Sequence, residues 1–135
     1  MPPYKIPYFK FYSTKKIVSS VARVLKSGWL TTGTVVEKFE TEFAKIIGKK
    51  YTIATSSCTT ALSVAVILSN IKKGSLVFLP SLTYVSDLEV LVHRGAIPIL
   101  LDVDLNTFNV TPEILKKNIT KYPKCKHLIV VHYAG

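Results

Sequence analysis

This chain has little with which to bind a metal or close a disulfide. Its 135 residues include two cysteines, Cys58 and Cys125, far apart, with no Cys-x-x-Cys and no histidine at metal-ligand spacing. That usage excludes a disulfide-stapled scaffold and points to a reduced, cytoplasmic setting. Long apolar runs are also missing. None reaches the ~18 residues needed to span a bilayer, and the longest candidate, 61–68, is interrupted by Ser63 and closed by Ser69-Asn70. The opening "MPPYKIPYFKFY" has three prolines, Pro2, Pro3 and Pro7, and no continuous apolar stretch, so it does not read as a signal peptide and no membrane partner is expected. Arginine is scarce: of 18 basic residues only Arg23 and Arg94 are not lysine. The glycine-rich signatures of P-loop and dinucleotide sites are absent.

What remains is a strongly basic, apolar-rich chain. Its net charge is +10 and 48% of its residues are hydrophobic, which excludes a disordered tail and allows a real core. The lysines come in scattered pairs (Lys15-Lys16, Lys49-Lys50, Lys72-Lys73, Lys116-Lys117) near expected helix ends and turns, where solvated charge normally goes. A nucleic-acid surface would show clustered arginines interleaved with aromatics, so nucleic-acid binding is a minor alternative.

Periodicity predicts two helices first. Ser13 can cap a helix to Ser27 with Ile17, Val18, Val21, Ala22 and Leu25 as its buried face, ended by Gly28. "GWLTTG", 28–33, is a loop with the only tryptophan. Thr34-x-x-Glu37 reads as a capping box for a second helix whose buried stripe is Phe39, Phe43, Ile46 and Ile47, stopped by Gly48. Strands and helices then alternate: strand 51–55, helix 59–70, strand 76–79, helix 83–94, strand 97–101, a helix from Thr111-Pro112 to about Ile119, and strand 127–131. The expected organisation is an N-terminal helical segment, 1–50, followed by an α/β cofactor-binding domain, 51–135, interrupted at its C-terminus. Such alternation with near-continuous apolar strands implies a parallel sheet covered on both faces, with ligands at the carboxyl ends of the strands.

Those ends hold the candidate residues. "YTIATSSCTTALSVAVIL" places Ser56-Ser57-Cys58-Thr59 where a strand hands over to a helix. Unpaired N–H groups and the helix dipole favour an anion such as phosphate there, and Ser57 and Thr59 can donate hydroxyls. An ordinary capped helix explains the same residues. Tyr84 follows the next strand and could stack on a flat heterocycle or simply pack on the core. Asp102 and Asp104 could form a carboxylate pair, although Asp before "LNTFNVTP" suits a turn. His132, His93 and His127 read as structural.

Blocks covering almost the whole chain, in order, resemble the N-terminal part of the DegT/DnrJ/StrS family of pyridoxal-phosphate-dependent sugar aminotransferases. They are "IPYFKF", "SGWLTTGTVVEKFETEFAKIIG", "SSCTTAL", "LPSLTYVSDLEVLVHRGAIPILLDVDLNTFNVTPE" and "VVHYAG". The resemblance implies a partial three-layer α/β/α, mostly parallel sheet, the N-terminal part of the large domain of an aspartate aminotransferase-like fold. It implies that Ser57, Cys58 and Thr59 hold the phosphate of pyridoxal 5′-phosphate and that Tyr84 stacks on its ring. Thr31, Thr32 and Gly33 would form a substrate or dimer-interface loop. The parent activity would transfer an amino group to a keto-sugar carried on a nucleotide.

The family also uses a lysine attached covalently to the cofactor and a carboxylate paired with the ring nitrogen. Both follow the Val-His-x-x-Gly block, where this chain stops, and none of its 16 lysines lies in a matching block. The expectation is therefore a fragment inactive alone, working as a homodimer or with a complementary C-terminal chain. The competing reading is a non-catalytic module that pairs with a full-length or complementary chain through an open sheet edge.

Overall fold

The computed structural model describes residues 9–133. Residues 6–8 of "IPYFKF" and Ala134-Gly135 of "VHYAG" lie outside the described residues. The contacts divide the chain into two compact units, Met1–Ile53 and Ala54–Gly135.

The first unit contains helices α1 (Lys15–Ser27) and α2 (Thr34–Ile46). Thr14, not Ser13, caps α1, its hydroxyl oxygen accepting the Ile17 N–H at 3.2 Å. The expected capping box at Thr34 does not form. Gly33 is the N-cap, its carbonyl accepts the Glu37 N–H at 3.0 Å, and Thr34 is already helical. At the other end Gly48 follows α2 with φ +65°, and Lys49 N–H returns to the Ala44 carbonyl, the left-handed wrap that a residue without Cβ makes easily.

The apolar stripes of α1 and α2 have the expected spacing but are not buried. Leu25 is 62% exposed and Ile46 81%, and Ile17, Val18, Val21, Phe39, Phe43 and Ile47 are exposed too. Among the described residues of this unit only Ala44 is buried. Two helices of 13 residues offer each other too little surface to cover two such stripes.

The second unit contains α3 (Cys58–Leu68), β1 (Leu76–Pro80), α4 (Val85–His93), β2 (Ile97–Leu101), α5 (Pro112–Lys121) and β3 (His127–Leu128). The three strands form one parallel sheet in the order β2-β1-β3, with Phe78 facing Ile99 in one ladder and Leu128 in the other. Residues 51–55, expected as a strand, are not one. β-propensity is there, but a strand exists only where a neighbour completes its ladder. The last strand is likewise shorter than 127–131, because its pairing to β1 involves only Val77↔His127 and Phe78↔Leu128.

β1 lies between the other two strands and is buried over 77–80, as its unbroken apolar run requires. Alternation sends Val77 and Leu79 to one face and Phe78 to the other. Val77 and Leu79 pack with Val66 of α3, Ile71, Val90 and Leu91 of α4, and Ala96. Phe78 packs with Leu101 and Cys125, backed by Ile114 and Leu115 of α5. Helices α3 and α4 thus cover one face of the sheet and α5 the other, a small three-layer α/β/α arrangement. Pro98, which lacks an N–H to donate, sits on the edge strand β2 where that is tolerated.

Candidate functional site

Direction is set by connection and packing. Ser69 and Ile71, at the C-terminal end of α3, line the same hollow as Lys126 and His127 at the start of β3. An 11-residue helix and a five-residue strand both span about 16 Å. The N-terminus of α3 therefore lies toward the carboxyl ends of the strands. Tyr84 follows the end of β1, and α3 packs against α4. Ser57, Cys58, Thr59 and Tyr84 accordingly share one edge of the sheet.

Ser57 is the N-cap of α3, its hydroxyl oxygen accepting the Thr60 N–H at 3.1 Å. Thr60, which sequence reading passed over, links two hydroxyls: Ser57 at 3.0 Å and Ser56 at 3.2 Å. Thr55 donates its hydroxyl to the Ser57 carbonyl at 2.9 Å, bracing the approach to the helix. The N–H groups of Cys58 and Thr59 open the helix and have no carbonyl one turn earlier to bond. The Thr59 hydroxyl has no hydrogen-bond partner among the described residues. Cys58 is exposed at the first helical position.

The electrostatics favour an anion at this end over the starts of α2, α4 and α5. Those helices carry an acidic residue in their first turn: Glu37, Asp87 and Glu113. α3, like α1, carries none, and its first turn is built of Cys, Thr, Thr and Ala. Its positive dipole end is thus left uncompensated by the chain, and no large side chain hinders approach to the backbone.

The profile of the DegT/DnrJ/EryC1/StrS aminotransferase family matches residues 12–135. The chain belongs to this family. Solved structures agree. The aminotransferase from Psychrobacter cryohalolentis is 36% identical with a TM-score of 0.83, over 96% of this chain and 33% of that one. The PMP form of Spr1654 from Streptococcus pneumoniae, described as a sugar aminotransferase, is 30% identical with a TM-score of 0.84, over 98% of this chain and 33% of that one. E. coli GDP-4-keto-6-deoxy-D-mannose-3-dehydratase with bound hydrated PLP is 27% identical with a TM-score of 0.83, over 92% and 33%. The chain spans about a third of the length of these structures.

Within this aminotransferase-family chain, Thr31, Thr32 and Gly33 belong to the first unit, whereas Ser57, Cys58, Thr59 and Tyr84 belong to the second. The loop wraps the tryptophan: Trp29 Nε1–H donates to the Thr32 carbonyl at 2.9 Å. A Cβ built on Gly33 would lie 2.4 Å from that nitrogen, so the indole occupies the space any side chain would need. Around them is an open hollow of about 710 Å³ lined by Arg23, Val24, Trp29, Leu30, Val36 and Glu37 among others.

Asp104 accepts the N–H groups of Asn106 and Thr107 at 3.0 and 2.9 Å and closes a turn. The Thr107 N–H and hydroxyl, with the Asn106 N–H, hold its carboxyl below the ordinary value. Its acceptor sites are therefore engaged in the loop, as a turn residue's are. His132 is exposed, next to Tyr133, whose N–H donates to Asn109 Oδ1. Among the described residues no group of histidine, cysteine, aspartate and glutamate could hold a metal, and no helix is long and apolar enough to cross a membrane.

Sequence reasoning also missed Asp87. It is buried at 8% exposure, one turn after Thr83, whose hydroxyl donates to its Oδ2. A Thr-x-x-x-Asp spacing marks the pair, but burial of the carboxylate comes only from the packing of α4.

Proposed function

We propose that this chain supplies the phosphate cradle and ring-facing wall of a pyridoxal-phosphate-dependent enzyme that transfers an amino group to a nucleotide-linked keto-sugar. The observation that carries the reading is the N-terminus of α3: capped by Ser57, free of acidic residues and fringed by hydroxyls. Those residues fit a phosphate group. The Cys58 and Thr59 N–H groups and the Thr59 hydroxyl would hold it, while Tyr84, 76% exposed on the same edge, would face the ring. The cofactor, when bound, supplies an electron-withdrawing ring on which amino groups can be exchanged. Family membership and neighbours in PMP- and PLP-bound forms support the choice of cofactor. The neighbour that acts on a GDP-linked keto-sugar supports the substrate class.

None of the 16 lysines falls in a block matching the cofactor-attachment lysine, so these 135 residues are not expected to catalyse transfer alone. The complete site would take its lysine and ring-nitrogen carboxylate from a complementary chain or segment, with Thr31, Thr32 and Gly33 at a substrate or subunit interface.

Pyridoxamine 5′-phosphate is a suitable probe because, unlike the aldehyde, it forms no adducts with surface lysines. Thr59→Ala removes one donor to a charged phosphate and should weaken binding by roughly one to two orders of magnitude. Cys58→Gly keeps the N–H and should change little, whereas Cys58→Pro deletes it and should abolish binding. If all three variants bind the probe like the parent, the phosphate assignment is wrong.

A further inference from the structure

Helix α4 begins in an unusual way. Its N-cap is Tyr84, a residue whose side chain cannot cap and makes no capping hydrogen bond. Short polar side chains are the ordinary choice at that position. A threonine is present, but one residue early, and its hydroxyl is directed at the Asp87 carboxylate instead of a backbone N–H. Asp87 and Ser86 are the buried polar or charged residues among those described. Burying a carboxylate is costly unless it is bonded, so the Thr83–Asp87 contact is an obligate part of the helix start. The Asp87 N–H also returns to the Tyr84 carbonyl at 3.1 Å, and the Ser81 N–H is tied to the Leu101 carbonyl of β2 at 2.8 Å.

We propose that the Thr83–Asp87 pair positions Tyr84, fixing the direction in which its ring leaves the sheet edge. The segment 81–87 is anchored at Ser81 by β2 and at Asp87 by burial. Between these anchors, the side-chain bond from Thr83 to Asp87 spans the peptide units on either side of Tyr84. The ring itself is exposed, so no packing of its own sets its orientation. A helix start that forgoes a normal cap and places an aromatic at the ligand edge is the kind of local exception expected at a functional site. The inference rests on Tyr84 being the ring-facing residue.

A double-mutant cycle on the full chain tests it, with pyridoxamine 5′-phosphate and inorganic phosphate as the two probes. Thr83→Val, nearly isosteric, should weaken pyridoxamine phosphate by about 2–10-fold and leave inorganic phosphate unchanged. Thr83→Ser, which restores the hydroxyl, should bind like the parent. Asp87→Asn keeps an acceptor oxygen and should fall between parent and Thr83→Val, giving a second variant should Thr83→Val not fold. Tyr84→Ala should lose roughly 5–100-fold for pyridoxamine phosphate. In the Tyr84→Ala background Thr83→Val should cost nothing further. If Tyr84→Ala weakens the probe but neither Thr83→Val nor Asp87→Asn does, or if Thr83→Val costs as much without the ring, the positioning role is overturned. If Tyr84→Ala binds like the parent, or the parent binds neither probe, the reading of the site fails and this inference with it.

Discussion

The two units place their apolar residues in opposite ways. Residues 54–133 direct them inward: β1 presents alternate side chains to both faces, and α3, α4 and α5 cover them. Residues 9–53 have helices whose apolar stripes are more regular than those of α3 and α4, yet Ala44 is their only buried member among those described. Periodicity therefore does not decide burial. A sheet offers two broad faces around which helices can close a core, whereas two helices joined by a short loop leave most of their stripes facing water. An apolar stripe states which face seeks cover and says nothing of whether the cover is present.

The sharpest test of the comparison is to truncate one leucine in each unit. Leu91 of α4 is 0% exposed within the sheet-facing core. Leu91→Ala should lower stability by about 2–5 kcal/mol. Leu25→Ala, on the exposed face of α1, should stay within about 0.5 kcal/mol. Thermal or denaturant melts of both variants settle the matter, and equal losses would mean that the stripe of α1 is covered in solution.

Gly33→Ala should have a smaller and local effect. The new Cβ would displace the Trp29 indole and break its bond to the Thr32 carbonyl, at a cost of about 1 kcal/mol. Because Trp29 is the only tryptophan, its emission should shift while the melting of the second unit stays unchanged. Unchanged emission would show that the loop does not hold the indole.

Much of this architecture was legible because its boundaries are marked by local chemistry. Gly28, Gly48 and Gly95 stop helices, Thr111-Pro112 starts one, and each observed helix or paired strand from α3 to α5 lies within about two residues of its sequence expectation. Strand 51–55 was not legible as a failure, because propensity is local while a ladder depends on a neighbour. The capping box at Thr34 gave way to Gly33 because the indole of Trp29 packs against that glycine and fixes where the helix begins. At the candidate site, a capped helix start within 56–59 and hydroxyl donors at Ser57 and Thr59 were readable from the residues, whereas the assignment of the cap to Ser57 came from the structure. The Thr60 hydroxyl bridge is local, reaching exposed hydroxyls three and four residues back, whereas the burial of Asp87 is a product of packing that no sequence pattern announces.

The smallest expected effect lies in the loop after β2, where the second unit behaves as locally as the first. Asp104 is held below its ordinary pKa by bonds from Thr107 and Asn106. A lowered folded-state pKa contributes stability that is present above the unfolded value and lost as pH falls through the folded one. An NMR titration should therefore place the Asp104 midpoint below that of an unperturbed aspartate, with the turn loosening only at more acidic pH and the sheet core unaffected. A midpoint at or above the ordinary value would contradict the observed turn.

The central claim is that the start of α3 is the anion-binding end of the second unit. The most direct measurement is a titration of the ¹⁵N-labelled chain with pyridoxamine 5′-phosphate, followed through its backbone amide resonances. The account predicts the largest shifts at the amides of Cys58 and Thr59, with smaller ones at Ser57 and Tyr84 and little change across α1 and α2. Saturable shifts confined to lysine-rich segments such as 116–126, with 57–59 unmoved, would contradict it.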